Sequence, residues 1–215
     1  MLPLSGSIGG EVIRSKEDVV REFTPLGIQL TDLPDLCGKF SGRLLLVAAG
    51  RCAWDDVEAA GMAGNSDLPV MAINQMGLHW PGPLLHLYSN DRKVLEHIPG
   101  LRAQYRREHP QVRHIHSCGS GGTHRWPWPG HGTSTLNACY TALALGYDEV
   151  WLCGAPLDNS GHYFDPPWVK TNFAAEVTAV GGFPRYWTNA ARHIFAGRVK
   201  SFSGRTRELL GAPAR

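Results

Sequence analysis

A chain of 215 residues, 43% hydrophobic and 19% charged, is long and apolar enough for one globular domain with a sizeable core. Its net charge of +2 gives no electrostatic case for nucleic acid or an anionic membrane as partner. No apolar run reaches the roughly eighteen residues a transmembrane helix needs. No basic segment followed by an apolar run opens the chain, so no signal peptide is expected. The cysteines at 37, 52, 118, 139 and 153 are odd in number and widely spaced, which fits a reduced, cytoplasmic setting.

Residues 1–40 read as an arm packed on a domain spanning 41–215. Within the arm, Ser15-Lys-Glu-Asp-Val-Val-Arg-Glu has the form of a short capped helix. Arg43 to Gly50 is an apolar run ended by glycine and predicts the first strand. A helix over Ala53 to Ala63 follows, with Asp55, Asp56 and Glu58 favourably near the positive end of its dipole. Pro69 to Asn74, Leu84 to Tyr88 and Gln111 to His116 predict three more strands. Residues 117–132, SCGSGGTHRWPWPGHG, read as a mobile surface loop.

The stretch from His131 to Asp158 organises the rest. Leu136, Cys139, Tyr140 and Leu143 fall at three- and four-residue steps, one buried face of a helix that Thr133 and Ser134 cap and Gly146 ends. Glu149 to Gly154 is then a short, fully buried strand. Helix followed closely by buried strand is half of a βαβ unit, so the expected fold is α/β: a single Rossmann-like domain with a mostly parallel sheet flanked by helices. Beyond it lie a Pro- and Gly-broken connection with a short helix near Thr171 to Val177, then helices over Asn189–Ala196 and Arg205–Leu210 around a strand at Val199.

Ligands in such sheets collect beyond the carboxyl ends of the strands. That address belongs to the segments Ala49–Ala53, with Gly50 and Arg51, Asn74 with Gln75, Thr133 with Ser134, and Gly154 through Asp158. The helix N-terminus at Thr133 and Ser134 suits phosphate, although the same hydroxyls serve as ordinary caps elsewhere. Asn74, an amide at a buried strand's tip, suits a sugar hydroxyl or a base, or else ties down a loop. His114 and His116 share a strand face and read as partly solvated side chains, with no third metal ligand at recognisable spacing. Trp126 and Trp128 either stack on a ligand ring or cover the core.

From Thr133-Ser134 through Ala144-Leu-Gly-Tyr-Asp-Glu-Val-Trp-Leu-Cys-Gly154 to Tyr163-Phe164-Asp165, the chain resembles the bacterial sialyltransferases of glycosyltransferase family 42. Ile73-Asn74-Gln75 is similar to that family's Cys-Asn-Gln. Related blocks occur in motility-associated accessory factors and hydroxymethylpterin pyrophosphokinases. The resemblance implies a transferase with a CMP-sugar-type donor, contacted by Asn74, Gln75, Thr133 and Ser134, with Tyr163 on the donor phosphate. Where the family's first loop carries an Asn and a Ser, this chain has Ala49-Gly50-Arg51-Cys52, which makes Arg51 a phosphate partner instead. The family's base histidine has no counterpart at Arg185–Thr188, which leaves His162 or His193 for that role.

The pyrophosphokinase alternative would take a nucleoside triphosphate with Mg²⁺ on Asp158 and Asp91. A non-catalytic nucleotide- or glycan-binding module is the third reading. No metal is expected outside the pyrophosphoryl-transfer case. Expected partners are a nucleotide or nucleotide-sugar and a small-molecule or glycan acceptor, with self-association into a homo-oligomer left open.

Overall fold

The computed structural model describes residues 14–61, 67–106, 108–129, 133–166 and 183–214. Seven strands form its sheet: β1 (Arg43–Val47), β2 (Val70–Ile73), β3 (Leu84–Tyr88), β4 (Val112–Ser117), β5 (His124–Arg125), β6 (Glu149–Cys153) and β7 (Val199–Ser201). They lie in the order β5-β4-β3-β2-β1-β6-β7, and every pairing is parallel. The α/β, Rossmann-like expectation holds, and the sheet is wholly parallel. The chain winds outward from β1 to β5, then crosses back to place β6 on the other side of β1. The reversal point is therefore the β1/β6 boundary.

Alternation along β1 shows how the sheet is buried. Leu44 and Leu46 point into one apolar layer, and Leu45 and Val47 into the other. Helices α2 (Ala53–Ala59), α3 (Met76–His79) and α4 (Arg92–Tyr105) cover the second layer. The first layer carries α1 (Lys16–Glu22), α5 (Ser134–Leu145) and α6 (Phe183–His193). A last helix, α7 (Gly204–Leu210), follows β7.

Helix α5 is buried on all sides and not on one face alone: every residue from Leu136 to Leu145 is inaccessible. Residues 14–40 supply the outer cover. Phe23 packs on Trp128 and Tyr140, and the amides of Gly38 and Phe40 donate to the carbonyls of Ala144 and Leu145, which a helix end leaves unpaired.

One helix has no counterpart in the sequence analysis, and two sequence expectations need correction. Helix α4 gave no clear pattern, because Pro99 interrupts it and its buried stripe of Leu95, Ile98 and Arg102 contains a cation. The two terminal nitrogens of Arg102 donate there to the carbonyls of Gly77, Trp80 and Gly82. The segment after β4 is no simple surface loop, since it contains β5 and sends Trp126 and Trp128 into the core as a stacked pair. The helix expected near Thr171–Val177 lies outside the described residues.

The histidines of β3 and β4 hold the other correction. The β3/β4 register sets His86 opposite His114; His114 is partly exposed as expected, but His116 is fully buried, and so is His86. Trp126 Nε1–H can only donate, so His116 Nδ1 accepts it at 3.1 Å. A neutral His116 then carries its proton on Nε2 and donates to His86 Nδ1 at 2.9 Å. His86 in turn donates from Nε2 to the Tyr147 hydroxyl at 2.9 Å. The chain runs in one direction, and a proton added to either ring would oppose two N–H groups. Burial and the neighbouring imidazoles hold His86 and His116 well below the ordinary range, and burial, with smaller contributions from His124 and Arg113, brings His114 down to about 4.

These depressed values have a definite sign. Below about 6.5, the ordinary imidazole value, the unfolded chain binds protons that the folded chain refuses, so stability falls as pH falls. Each of the two buried rings costs at most ~1.4 kcal/mol per pH unit over that window. Urea denaturation at pH 7.5 and pH 5 should therefore give a clearly lower midpoint at the acid value. Equal midpoints would show that the histidine chain does not control stability.

Candidate functional site

A crevice of about 250 Å³ opens at the reversal point, beyond the carboxyl ends of β1, β2 and β6. Its walls are Ala48 to Gly50 after β1, Ile73 to Gln75 after β2, Thr133 to Thr135 at the start of α5, and Gly154 to Asp158 with Gly161 and His162 after β6. Eight of the ten site residues expected from sequence thus meet in one place: Gly50, Asn74, Gln75, Thr133, Ser134, Gly154, Asp158 and His162. Arg51 and Tyr163 do not.

The floor depends on close backbone contact between β1 and β6. Gly50 N–H donates to Gly154 O at 2.8 Å, and a Cβ on Gly154 would stand 2.1 Å from the Ala48 carbonyl oxygen. Gly154 also has φ +67°, a left-handed conformation that favours glycine. Asp56, buried on α2, accepts from Gly154 N–H at 2.9 Å and from the Ser203 hydroxyl at 2.6 Å. Sequence reading assigned Asp56 only to the helix dipole and missed this role.

At the α5 end, Thr133 Oγ1 accepts from Leu136 N–H, so that hydroxyl serves as the cap. The first intrahelical bond is Asn137 N–H to Thr133 O, which leaves the amides of Ser134 and Thr135 ahead of the helical ladder. Their dipoles and the helix end favour an anion.

Asn74 sits opposite on the tip of β2 with φ +53°. Asparagine tolerates this left-handed geometry better than most residues. Its Oδ1 accepts from the Ser89 hydroxyl at 2.7 Å, which turns Nδ2 into an oriented donor without a partner among the described residues. Leu157, also on the wall, has φ +54°. Non-glycine residues strained in this way collect at functional sites.

The loop after β6 is tied back to β1. Gly50 and His162 form an antiparallel bridge, with Arg51 N–H on Gly161 O and Tyr163 N–H on Ala49 O. Arg51 is tied to this loop: its guanidinium donates to the carbonyls of Ser160, Asp165 and Pro166. Tyr163 follows in the turn that Asp165 N–H closes on the His162 carbonyl, and it does not line the crevice. The Tyr163 ring packs edge-on against Trp54 and His79, its hydroxyl is buried with no hydrogen-bond partner among the described residues, and burial pushes the phenol up to about 12.

The His162 ring is held by Asp165, a partner the sequence reading did not identify. Asp165 Oδ2 accepts both the His162 backbone N–H and ring Nδ1, each at 2.9 Å. Those bonds, the backbone one first, hold the Asp165 carboxyl below its usual range. The only sequence signal was a His-x-x-Asp spacing in a turn. His193, the other base candidate, lies at the end of α6 beside a shallow depression shared with Arg21 and Pro25, not at the crevice.

Asp158 is on the crevice wall, with Oδ1 accepting from Ser160 N–H. Asp91 is not its neighbour there: it caps α4 by accepting from Lys93 N–H at 2.9 Å. No group of three His, Cys, Asp or Glu side chains among the described residues is arranged to hold a metal ion. No helix among them is long and apolar enough to cross a membrane.

No family model and no curated protein matches the chain. Among solved structures it is similar to the sialyltransferase CstII from Campylobacter jejuni in complex with cytidine-5'-monophosphate, at TM-score 0.55 and 13% identity, over 80% of this chain and 85% of that one. The same enzyme in complex with CMP-3FNeuAc aligns at TM-score 0.52 and 14% identity, over 80% and 89% of the two chains. The fold is shared. A mammalian sialyltransferase, at TM-score 0.35 and 14% identity, is too distant to bear on it.

If Arg51 is the tether of the loop after β6, Arg51→Ala should loosen that loop without unfolding the sheet. Amide hydrogen exchange at residues 158–166 should then accelerate at least about tenfold, the equivalent of ~1.4 kcal/mol. Exchange in β1 should not change. Unaltered exchange across the loop would remove the tether from the description.

Proposed function

We propose that the protein is a transferase acting on a nucleotide-activated donor, of the CMP-sugar type, as in a sialyltransferase. One observation carries the reading: the amides opening α5, ahead of its helical ladder, and the oriented Asn74 amide line a single crevice at the reversal point of the sheet. The helix N-terminus is suited to the donor phosphate and, as the sugar departs, to the charge that accumulates on it. Asn74 Nδ2 and the exposed Gln75 are placed to donate to ribose or sugar oxygens. His162 is the base on the same wall, taking the acceptor hydroxyl's proton. CstII, whose fold this chain shares, is a sialyltransferase seen with CMP and CMP-3FNeuAc, and that likeness supports the choice of donor.

The pyrophosphoryl-transfer alternative draws less support, because Asp158 has no second carboxylate beside it among the lining residues. Calorimetric titration with CMP, with and without Mg²⁺, separates the readings. CMP should bind equally well in both buffers. Binding of ATP alone, and only with Mg²⁺, would replace the sugar-transferase reading.

Two substitutions locate the site. Ser134→Ala should weaken CMP binding by about 1–3 kcal/mol, or roughly 5- to 150-fold. At position 74, alanine would mix strain at positive φ with loss of the amide, so Asn74→Gly is the cleaner variant. It should weaken CMP by a similar factor while the thermal midpoint moves little. Unchanged affinity in both variants would rule out the crevice as the nucleotide site.

A further inference from the structure

We propose that Asp165 is the positioning residue for His162 and sets which ring nitrogen acts as the base. The inference rests on the transferase reading above. An ionised carboxylate only accepts hydrogen bonds, so the 2.9 Å contact between Asp165 Oδ2 and His162 Nδ1 makes Nδ1 the protonated nitrogen of the neutral ring. The basic lone pair is thereby left on Nε2, which has no partner among the described residues. The same carboxylate oxygen also accepts the His162 backbone N–H at 2.9 Å, and Asp165 N–H returns a bond to the His162 carbonyl. The orienting group is thus fixed by the turn it closes.

Stacking fixes the plane of the ring. Phe164 lies parallel to His162 at 5.0 Å and 4°, and His79 also stacks on Phe164 at 5.2 Å and 12°. The imidazole side chain remains 44% exposed, open to the crevice that it lines, while Asp165 is 21% exposed. A ring held in plane, with its tautomer set by a carboxylate and its other nitrogen unpartnered among the described residues, is the arrangement of a general base with its orienting partner.

The acceptor hydroxyl oxygen forms a bond to the donor sugar's anomeric carbon as its proton passes to His162 Nε2. The bond from that carbon to the donor phosphate oxygen breaks, and its electron pair leaves with the nucleoside monophosphate. Asp165 touches neither reacting oxygen and acts through the ring.

The test uses the whole chain and its Asp165→Asn and His162→Ala variants. Nitrogen-15 NMR of the imidazoles reads the tautomer: His162 should be a single Nδ1–H species in the unaltered protein and a mixture in Asp165→Asn. CMP release from CMP-N-acetylneuraminate, with a saccharide acceptor, should fall about a hundredfold or more in kcat for both variants. CMP affinity by calorimetry should stay within twofold, which separates positioning from a general loss of structure. An identical tautomer and unchanged kcat in Asp165→Asn would overturn the assignment. A chain that binds CMP but releases none from the donor would overturn the catalytic part. A chain that binds no CMP would defeat the transferase reading, while the NMR result would still decide whether Asp165 controls the ring.

Discussion

Two backbones meet at the carboxyl ends of β1 and β6 with no space for a side chain between them. Gly50 and Gly154 are both required there: a Cβ on Gly50 would lie 2.5 Å from the Gly154 carbonyl oxygen, and one on Gly154 would lie 2.1 Å from Ala48 O. This closeness lets α2 turn away on one side and the β6 loop on the other, and the crevice is the gap left by the divergence. Asp56 secures the contact from below, because a buried carboxylate holds both the Gly154 amide and the Ser203 hydroxyl. The polar groups of the site owe their common address to the path of the main chain.

The remaining wall is built by economy of contact. Arg51 stands just beyond β1 and spends its guanidinium on three carbonyls of the loop that carries His162 and Asp165. The loop and the strand consequently share one anchor. On the opposite side, Ser89 orients Asn74, and Asn90 N–H reaches the Ser134 hydroxyl at 3.4 Å. The β3 end thus touches both the β2 tip and the start of α5, linking the two proposed donor-binding segments through neighbouring residues.

Much of this was legible in the sequence, for identifiable reasons. The apolar runs at Arg43 and Leu84 and the helix-turn-strand block ending at Gly154 announce parallel strands through local composition, and strand ends then point to the crevice by topology. The surroundings of Arg51 and Tyr163 were not legible, because their neighbours across space, the carbonyls of Ser160 and Pro166 and the ring of His79, depend on a bridge between Gly50 and His162 that no local pattern reveals. His86 carries no mark within its own strand, since the β3/β4 register supplies His116 and the α5–β6 turn supplies Tyr147. Helix α4 was hidden for a different reason, since its buried stripe contains Arg102 where a hydrophobe would have marked the face.

The lengths of the outermost strands have a consequence for association between copies. The sheet ends on β5, only two residues long, and on β7, three residues long. An added strand from another molecule would find few unpaired main-chain groups along either border, too few for a stable intermolecular ladder. A wholly parallel sheet of this width therefore keeps its ends blunt. Among the described residues, the surfaces open to a second copy are those of helices and loops.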